Sequence, residues 1–475
     1  MIISHMQISN TYIKGSFYDE VGTSFDLINP ANETQYGSLI CSTKEQVHEA
    51  INNALEMEKV AASLSVAKRI LILNEILDGI NLRRQELAEA ITLEMGAPIS
   101  LTSSSHIQMG TDHLINTIAT LENYLFNEDC KGYQLFKVPI GLVALITPWN
   151  WPLNQTLTKI ASSIAAGCPI ILKPSEYSPL SSRILIEIIH KTSLPKGCFN
   201  SVNGIGSEIG PLISSHPDIK MISFTGSTSA GISIQKLAAD SIKRVSLELG
   251  GKSAHIICPG VDLSIAVPNA IDQCFINSGQ SCSAATRLLV SRENADEVKI
   301  IAKNYVNSKI TGDPNNKSTN LGPVVNIKQF ESIQKHIALG IENGNELLLG
   351  GLGKPANCSD GYFIKPTVFT GVNNKSHLAQ EEIFGPVLTI IYYSNIEDAI
   401  ELANKSKYGL SSYITCLDES EGYEIAKKLK AGQTIINKKS RGSAPAPFGG
   451  FKMSGNGREH GQFGLEEYLE IKAII

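Results

Sequence analysis

The residue with the clearest chemical potential in this 475-residue chain is a cysteine. Cys282 stands in Asn277-Ser278-Gly279-Gln280-Ser281-Cys282-Ser283-Ala284-Ala285-Thr286-Arg287. Its small, polar surroundings set it apart from the other eight cysteines, at 41, 130, 168, 198, 258, 274, 358 and 416. A thiol reacts as its thiolate, which requires partial exposure and help with ionisation. This segment permits such attack on an electrophilic carbon. A lone cysteine is more often inert core, however, and the segment alone leaves both readings open. Two glycine patterns invite a phosphate reading and fall short of it. Gly204-Ile205-Gly206-Ser207-Glu208-Ile209-Gly210 is one residue longer than the dinucleotide fingerprint, and Gly226–Ser233 has no lysine for a triphosphate loop. Tight turns are the better reading of either pattern alone. The ten histidines are dispersed without metal-ligand spacing.

The elements that would position this chemistry alternate along the chain. Residues 44–95 read as helices, with Ile70, Leu73, Leu77 and Ile80 on one face and Leu87 and Ile91 on the next helix. From 138 onward, short apolar runs end in Gly or Pro and precede helical stretches: Gly141–Ile146, Pro169–Leu172, Phe199–Val202, Lys220–Phe224 and Arg244–Leu247. Buried strands alternating with helices predict a parallel α/β sheet. A second α/β stretch follows, with strands at Ala254–Ile257, Leu288–Val290, Val387–Tyr392 and Ser412–Thr415. The apolar and acidic run Leu465–Ile471 reads as an edge strand. Four polar clusters sit at strand ends: Thr147-Pro148-Trp149-Asn150-Trp151-Pro152, Lys173-Pro174-Ser175-Glu176, Phe224-Thr225-Gly226-Ser227 and Glu248-Leu249-Gly250-Gly251-Lys252. Ligands of open α/β sheets bind outside the carboxyl ends of the strands, so these clusters are expected to share one crevice.

Composition narrows the class. With 41 Lys and Arg against 46 Asp and Glu the net charge is −5, so no basic field exists to hold nucleic acid or an anionic membrane. Hydrophobic residues at 42% and charged residues at 18% are the balance of a globular protein. No apolar run has the length of a membrane span, and the N-terminus lacks the pattern of a signal peptide. Nine cysteines without a CxxC pair read as reduced thiols in a cytoplasmic protein.

Taken in order and spacing, the segments TPWNWP, KPSE, FTGS, ELGGK, GQSCSAATR, QEEIFGPV and PFGGFKMSGNGREHG resemble the NAD(P)-dependent aldehyde dehydrogenase family, from about Asn29-Pro30 to the C-terminus. The resemblance implies an α/β fold with a Rossmann-type NAD-binding domain (1–120 and 140–250), an α/β catalytic domain (251–455) and a small bridging β element (121–139 and 456–475) that pairs subunits into a homodimer or homotetramer. It implies oxidation of an aldehyde to a carboxylic acid, with no metal. Carried over position by position, Cys282 is the nucleophile and Asn150 the side-chain donor of the oxyanion hole. Glu248 is the general base, and Glu459 a nearby carboxylate that relays protons with Lys159. The cofactor, NAD with NADP possible, would lie along Ile146, Thr147, Trp149, Asn150, Lys173, Ser175, Glu176, Gly206, Gly210, Phe224, Thr225, Gly226, Ser227, Glu248, Leu249, Gly250, Cys282, Glu382 and Phe384. Glu176 leans toward NAD, because a 2′-phosphate would meet like charge. The substrate tunnel would be lined by Trp151, Gln155, Thr158, Ser281, Ser283, Gly442 and Phe448. Its polar walls, with Lys438, Lys439 and Arg441 nearby, suit a small polar or anionic aldehyde; a solvated loop is an equal reading of those charges. Two alternatives stay open: a CoA-acylating semialdehyde dehydrogenase, and a non-catalytic binding protein on the same fold.

Overall fold

The computed structural model describes residues 6–18, 22–437 and 445–475. Two seven-stranded sheets dominate it. In the first, five parallel strands run in the order Arg244–Glu248, Met221–Thr225, Val143–Ile146, Ile170–Lys173 and Phe199–Ser201. Tyr12–Ile13 and Ser16–Phe17 extend it antiparallel. The strands Val143–Ile146 and Ile170–Lys173 are buried throughout, which is why they read as continuous apolar runs and not as alternation. The register brings the expected clusters together. Ile146 lies opposite both Lys173 and Phe224, and Thr225 lies opposite Glu248, so four strands end along one edge.

The second sheet orders Glu346–Leu349, Thr367–Thr370, Val387–Tyr393, Arg287–Ser291, Ala254–Ile257, Ser411–Thr415 and Gln433–Ile436. All its pairings are parallel except the first. The Cys282 segment connects the helix Leu263–Phe275 to the central strand Arg287–Ser291 of this sheet. The nucleophile candidate therefore comes from one sheet, and the polar strand ends from the other.

A three-stranded antiparallel sheet joins Asn127–Cys130, Tyr133–Pro139 and Leu469–Ile474. Here the expected edge strand is corrected. Residues Gly461–Glu466 form a short helix whose Leu465 is buried, and the strand begins only at Leu469. Leu465 is held in the core by packing between that helix and its neighbours Ile107–Asn123 and Pro152–Ala166, a tertiary contact that local composition does not encode. The short strands Met6–Ile8, Ser24–Ile28 and Gln35–Ile40 form a further small sheet without a sequence signal. No helix among the described residues is long and apolar enough to cross a membrane.

Candidate active site

Between the strand ends of the first sheet and the Cys282 segment lies a cavity of about 270 Å³. Trp149, Asn150, Thr225, Gly226, Ser227, Glu248, Leu249, Gly250, Cys282, Glu382 and Phe384 all line it, so the structure brings eleven of the residues singled out by sequence to one cavity. Cys282 is half-buried, whereas seven of the other eight cysteines are buried and Cys130 lies on the small antiparallel sheet.

The nucleophile loop is held in an unusual backbone. Asn277, Ser278 and Gly279 have φ of 55°, 56° and 76°, three consecutive left-handed residues that turn the chain sharply after the helix. Gln280 fixes the exit: its Oε1 accepts from Val325 N at 2.9 Å, and its carbonyl accepts from Asn150 Nδ2 at 3.1 Å. A Cβ on Gly279 would fall 2.1 Å from the carbonyl oxygen of Gly385, on the loop that carries Glu382 and Phe384. Gly279→Ala is therefore expected to destabilise the protein by about 2 kcal/mol or more, and to lower activity by displacing both loops. Thermal melting alongside turnover checks this.

Glu248 is 2% exposed, and neither carboxylate oxygen accepts a hydrogen bond. Burial, reinforced by the charge of Glu459, pushes its carboxyl well above the usual range, against the pull of Lys159 and Arg458. Lys159, on the fully buried helix Pro152–Ala166, pairs with Glu459 and donates to Ser223 Oγ at 3.0 Å. The C-terminal segment is strapped over this group. Leu249 N donates to Ser454 O at 2.9 Å, Asn456 and Gly457 donate to Leu247 O, and Phe448 exchanges hydrogen bonds with Glu459. A Cβ at Gly455, with φ 120°, would lie 1.9 Å from Leu247 O, which explains a glycine there.

A groove continues from the cavity along the strand ends. Lys173 Nζ pairs with Glu176 at 3.0 Å, and Glu176 Oε1 accepts from Gly206 N at 3.1 Å. A Cβ at Gly206 would meet only Glu176, at 3.9 Å, and one at Gly210 nothing within 4 Å, so this helix start is open to a ligand. Ser227 caps the helix Thr228–Ala238. Trp149 and Phe384 meet edge-to-face at 5.6 Å, and Phe384 holds φ 58°. Glu382 accepts from Gly251 N at 2.9 Å, while burial raises its carboxyl to about 7. An adenine dinucleotide fits this arrangement: a carboxylate for ribose hydroxyls, an open helix start for phosphate and an aromatic pair for a planar ring.

Other expected residues are not among those that line this cavity. Ile146 and the ring of Phe224 belong to the core of the first sheet. Thr147 is buried and bonded to Thr156, and Ser175 caps its own turn through Tyr177 N. Ser283 is 0% exposed and does not line this cavity. Trp151 stacks on His106 with centroids 4.1 Å apart and donates to Ser281 Oγ at 3.3 Å. Gln155 and Thr158 are buried on their helix, and Phe448 stacks on His460. Lys438, Lys439, Arg441 and Gly442 lie outside the described residues. Sequence reasoning missed Gln329, which lines the cavity and donates to the carbonyls of Ile383 and Phe384. One glutamine on an amphipathic helix carries no signal.

With this geometry in place, comparison assigns the class. The sequence profile of the aldehyde dehydrogenase family matches residues 17–474. A putative aldehyde dehydrogenase of Staphylococcus saprophyticus is 41% identical over 464 residues, 98% of each chain. Aldehyde dehydrogenase C of Pseudomonas syringae, solved as a cysteine-to-alanine mutant complexed with NAD+ and octanal, superposes with a TM-score of 0.97 at 40% identity, over 100% of this chain and 98% of its own. Betaine aldehyde dehydrogenase of Staphylococcus aureus, in complex with NAD+, gives 0.94 at 33% identity, over 98% and 94%. The chain belongs to the aldehyde dehydrogenase family.

Proposed function

We propose that the protein oxidises an aldehyde to its carboxylic acid, with NAD as the hydride acceptor and Cys282 as the nucleophile. The observation that carries this reading is the single cavity in which Cys282, Asn150 and Glu248 meet. The Cys282 thiolate adds to the aldehyde carbon, and the carbonyl oxygen takes up the charge. Asn150 Nδ2, whose other hydrogen is engaged by Gln280 O, donates to that oxygen together with the Cys282 N–H. Lys173, Glu176, Gly206, Ser227 and Glu382 would hold NAD, which when bound would accept the hydride lost from the adduct carbon and so leave Cys282 acylated. Glu248 then takes a proton from water attacking the acyl group that Cys282 carries, and the acid leaves with Cys282 restored as a thiolate. Lys159 and Glu459, packed beside Glu248, hold and pass that proton.

The layout fits three working parts: 1–120 and 140–250 for the cofactor, 251–455 for catalysis, and 121–139 with 456–475 as a bridge between subunits of a homo-oligomer. The Glu248 base favours hydrolysis over CoA acylation. Glu176 favours NAD over NADP, and Glu176→Gln is expected to narrow the preference by about tenfold. The ratio of kcat/KM for the two cofactors measures it.

Two observations pull the substrate class apart. The Pseudomonas relative holds octanal, which favours an alkyl aldehyde. The polar tunnel read from the sequence favours a short polar one instead, although Gln155 and Thr158 are buried on their helix and do not line the cavity. Formation of reduced cofactor across octanal and short polar aldehydes, with NAD and NADP side by side, tests both activity and class. No reduction with any aldehyde would defeat the proposal, and acyl-CoA formation on adding CoA would replace hydrolysis with acylation.

A further inference from the structure

Asn277 does no chemistry in this scheme, yet its amide joins the two loops on which the scheme depends. It is 2% exposed, and its Nδ2 donates to Asn150 O at 2.8 Å and to Gln280 O at 3.3 Å. The second acceptor is the same carbonyl that receives Asn150 Nδ2 at 3.1 Å. One side chain therefore grips the main chain of Asn150 and the atom against which the Asn150 amide is aligned, two residues ahead of Cys282. The loop is tightened further by Gln280, whose N and Nε2 both donate to Asn277 O, at 3.1 Å and 3.2 Å.

The backbone makes asparagine a chemical choice. At φ 55° most side chains are strained, and glycine and asparagine tolerate the position best. Glycine would satisfy the turn but bring no donors; asparagine satisfies the turn and supplies two. Behind the amide stands His106, fully buried against Trp151, its imidazole pushed down to about 3 by burial. Burial holds this ring neutral, against the opposing pull of the Asn277 side chain itself.

We propose that Asn277 is a positioning residue: it sets the separation between the Asn150 amide and the Cys282 N–H, and so the geometry of the oxyanion site. The inference rests on the reading of Asn150 given above. Donors of this kind act only if they converge where charge develops, and a displacement of about 1 Å costs about 100-fold in rate.

The test places Asn277→Gly in the native protein and in Asn150→Ala, and measures kcat, KM, cofactor Kd and melting temperature. In the native background kcat is expected to fall about 10- to 100-fold, with aldehyde KM and cofactor Kd within about twofold. Asn150→Ala alone is expected to cost about 100- to 1,000-fold. Adding Asn277→Gly to it is expected to cost less than about threefold more, because the residue acts through the donor already removed. A second full loss in that background, or a loss in cofactor affinity in place of kcat, would overturn the inference while leaving the role of Asn150 intact. Unchanged turnover in Asn150→Ala would overturn both. Should the glycine variant fail to fold, Asn277→Ala removes the donors without placing a carboxylate against the two carbonyls, and the same comparison carries the same expected pattern.

Discussion

Cys282→Ala is expected to lower formation of reduced cofactor by about four orders of magnitude or more, while cofactor Kd stays within about threefold. Removal of a covalent nucleophile leaves only the catalysis that binding and electrostatics supply. Cys282 alone among the cavity residues carries a thiol, and the seven fully buried cysteines have no access to take its place. Folding is expected to survive: the side chain is half-buried at a cavity wall and fills no core position. The groove from Lys173 to Gly206 lies outside the cavity lining and is untouched. Cofactor titration by fluorescence and a continuous assay of the absorbance of the reduced nicotinamide separate the two effects.

The second large effect falls on Glu248. Glu248→Gln is expected to slow steady-state turnover about 100- to 10,000-fold while preserving a first burst of reduced cofactor. The amide keeps the shape of the side chain and loses the base. The pH dependence has a definite sign. Burial and the Glu459 charge raise the Glu248 carboxyl, so it stays protonated at pH values where an ordinary carboxylate is ionised. Water activation therefore fails at low pH and rises with pH through an ionisation above the usual carboxylate range, near 4.5. In Glu248→Gln that limb of the kcat profile is expected to vanish. Equal slowing of burst and steady state would assign Glu248 to thiol activation instead.

Much of this was legible in the chain because parallel strands end where chemistry begins. Trp149, Asn150, Thr225, Ser227, Glu248 and Leu249 follow apolar runs by a fixed register, and that register carries them to one cavity. Cys282 was legible through its small, polar neighbours. Features that arise from long-range contact were not. Gln329 reaches the Phe384 loop from a helix whose sequence shows only amphipathicity, and Leu465 joins the core through helices far away in the chain. Asn277 shows no signal beyond a polar residue near a glycine, since its role depends on two carbonyls brought together by folding. Ser283 sits beside the nucleophile in sequence yet is buried, which its polar side chain does not announce.

The most direct measurement is the intact mass and peptide map of Glu248→Gln quenched soon after mixing with aldehyde and NAD. The account predicts one acyl group per chain, on the peptide that contains Cys282, with one equivalent of reduced cofactor formed in the same interval. Reduced cofactor without an acylated Cys282, or an acyl group on another cysteine, would contradict it.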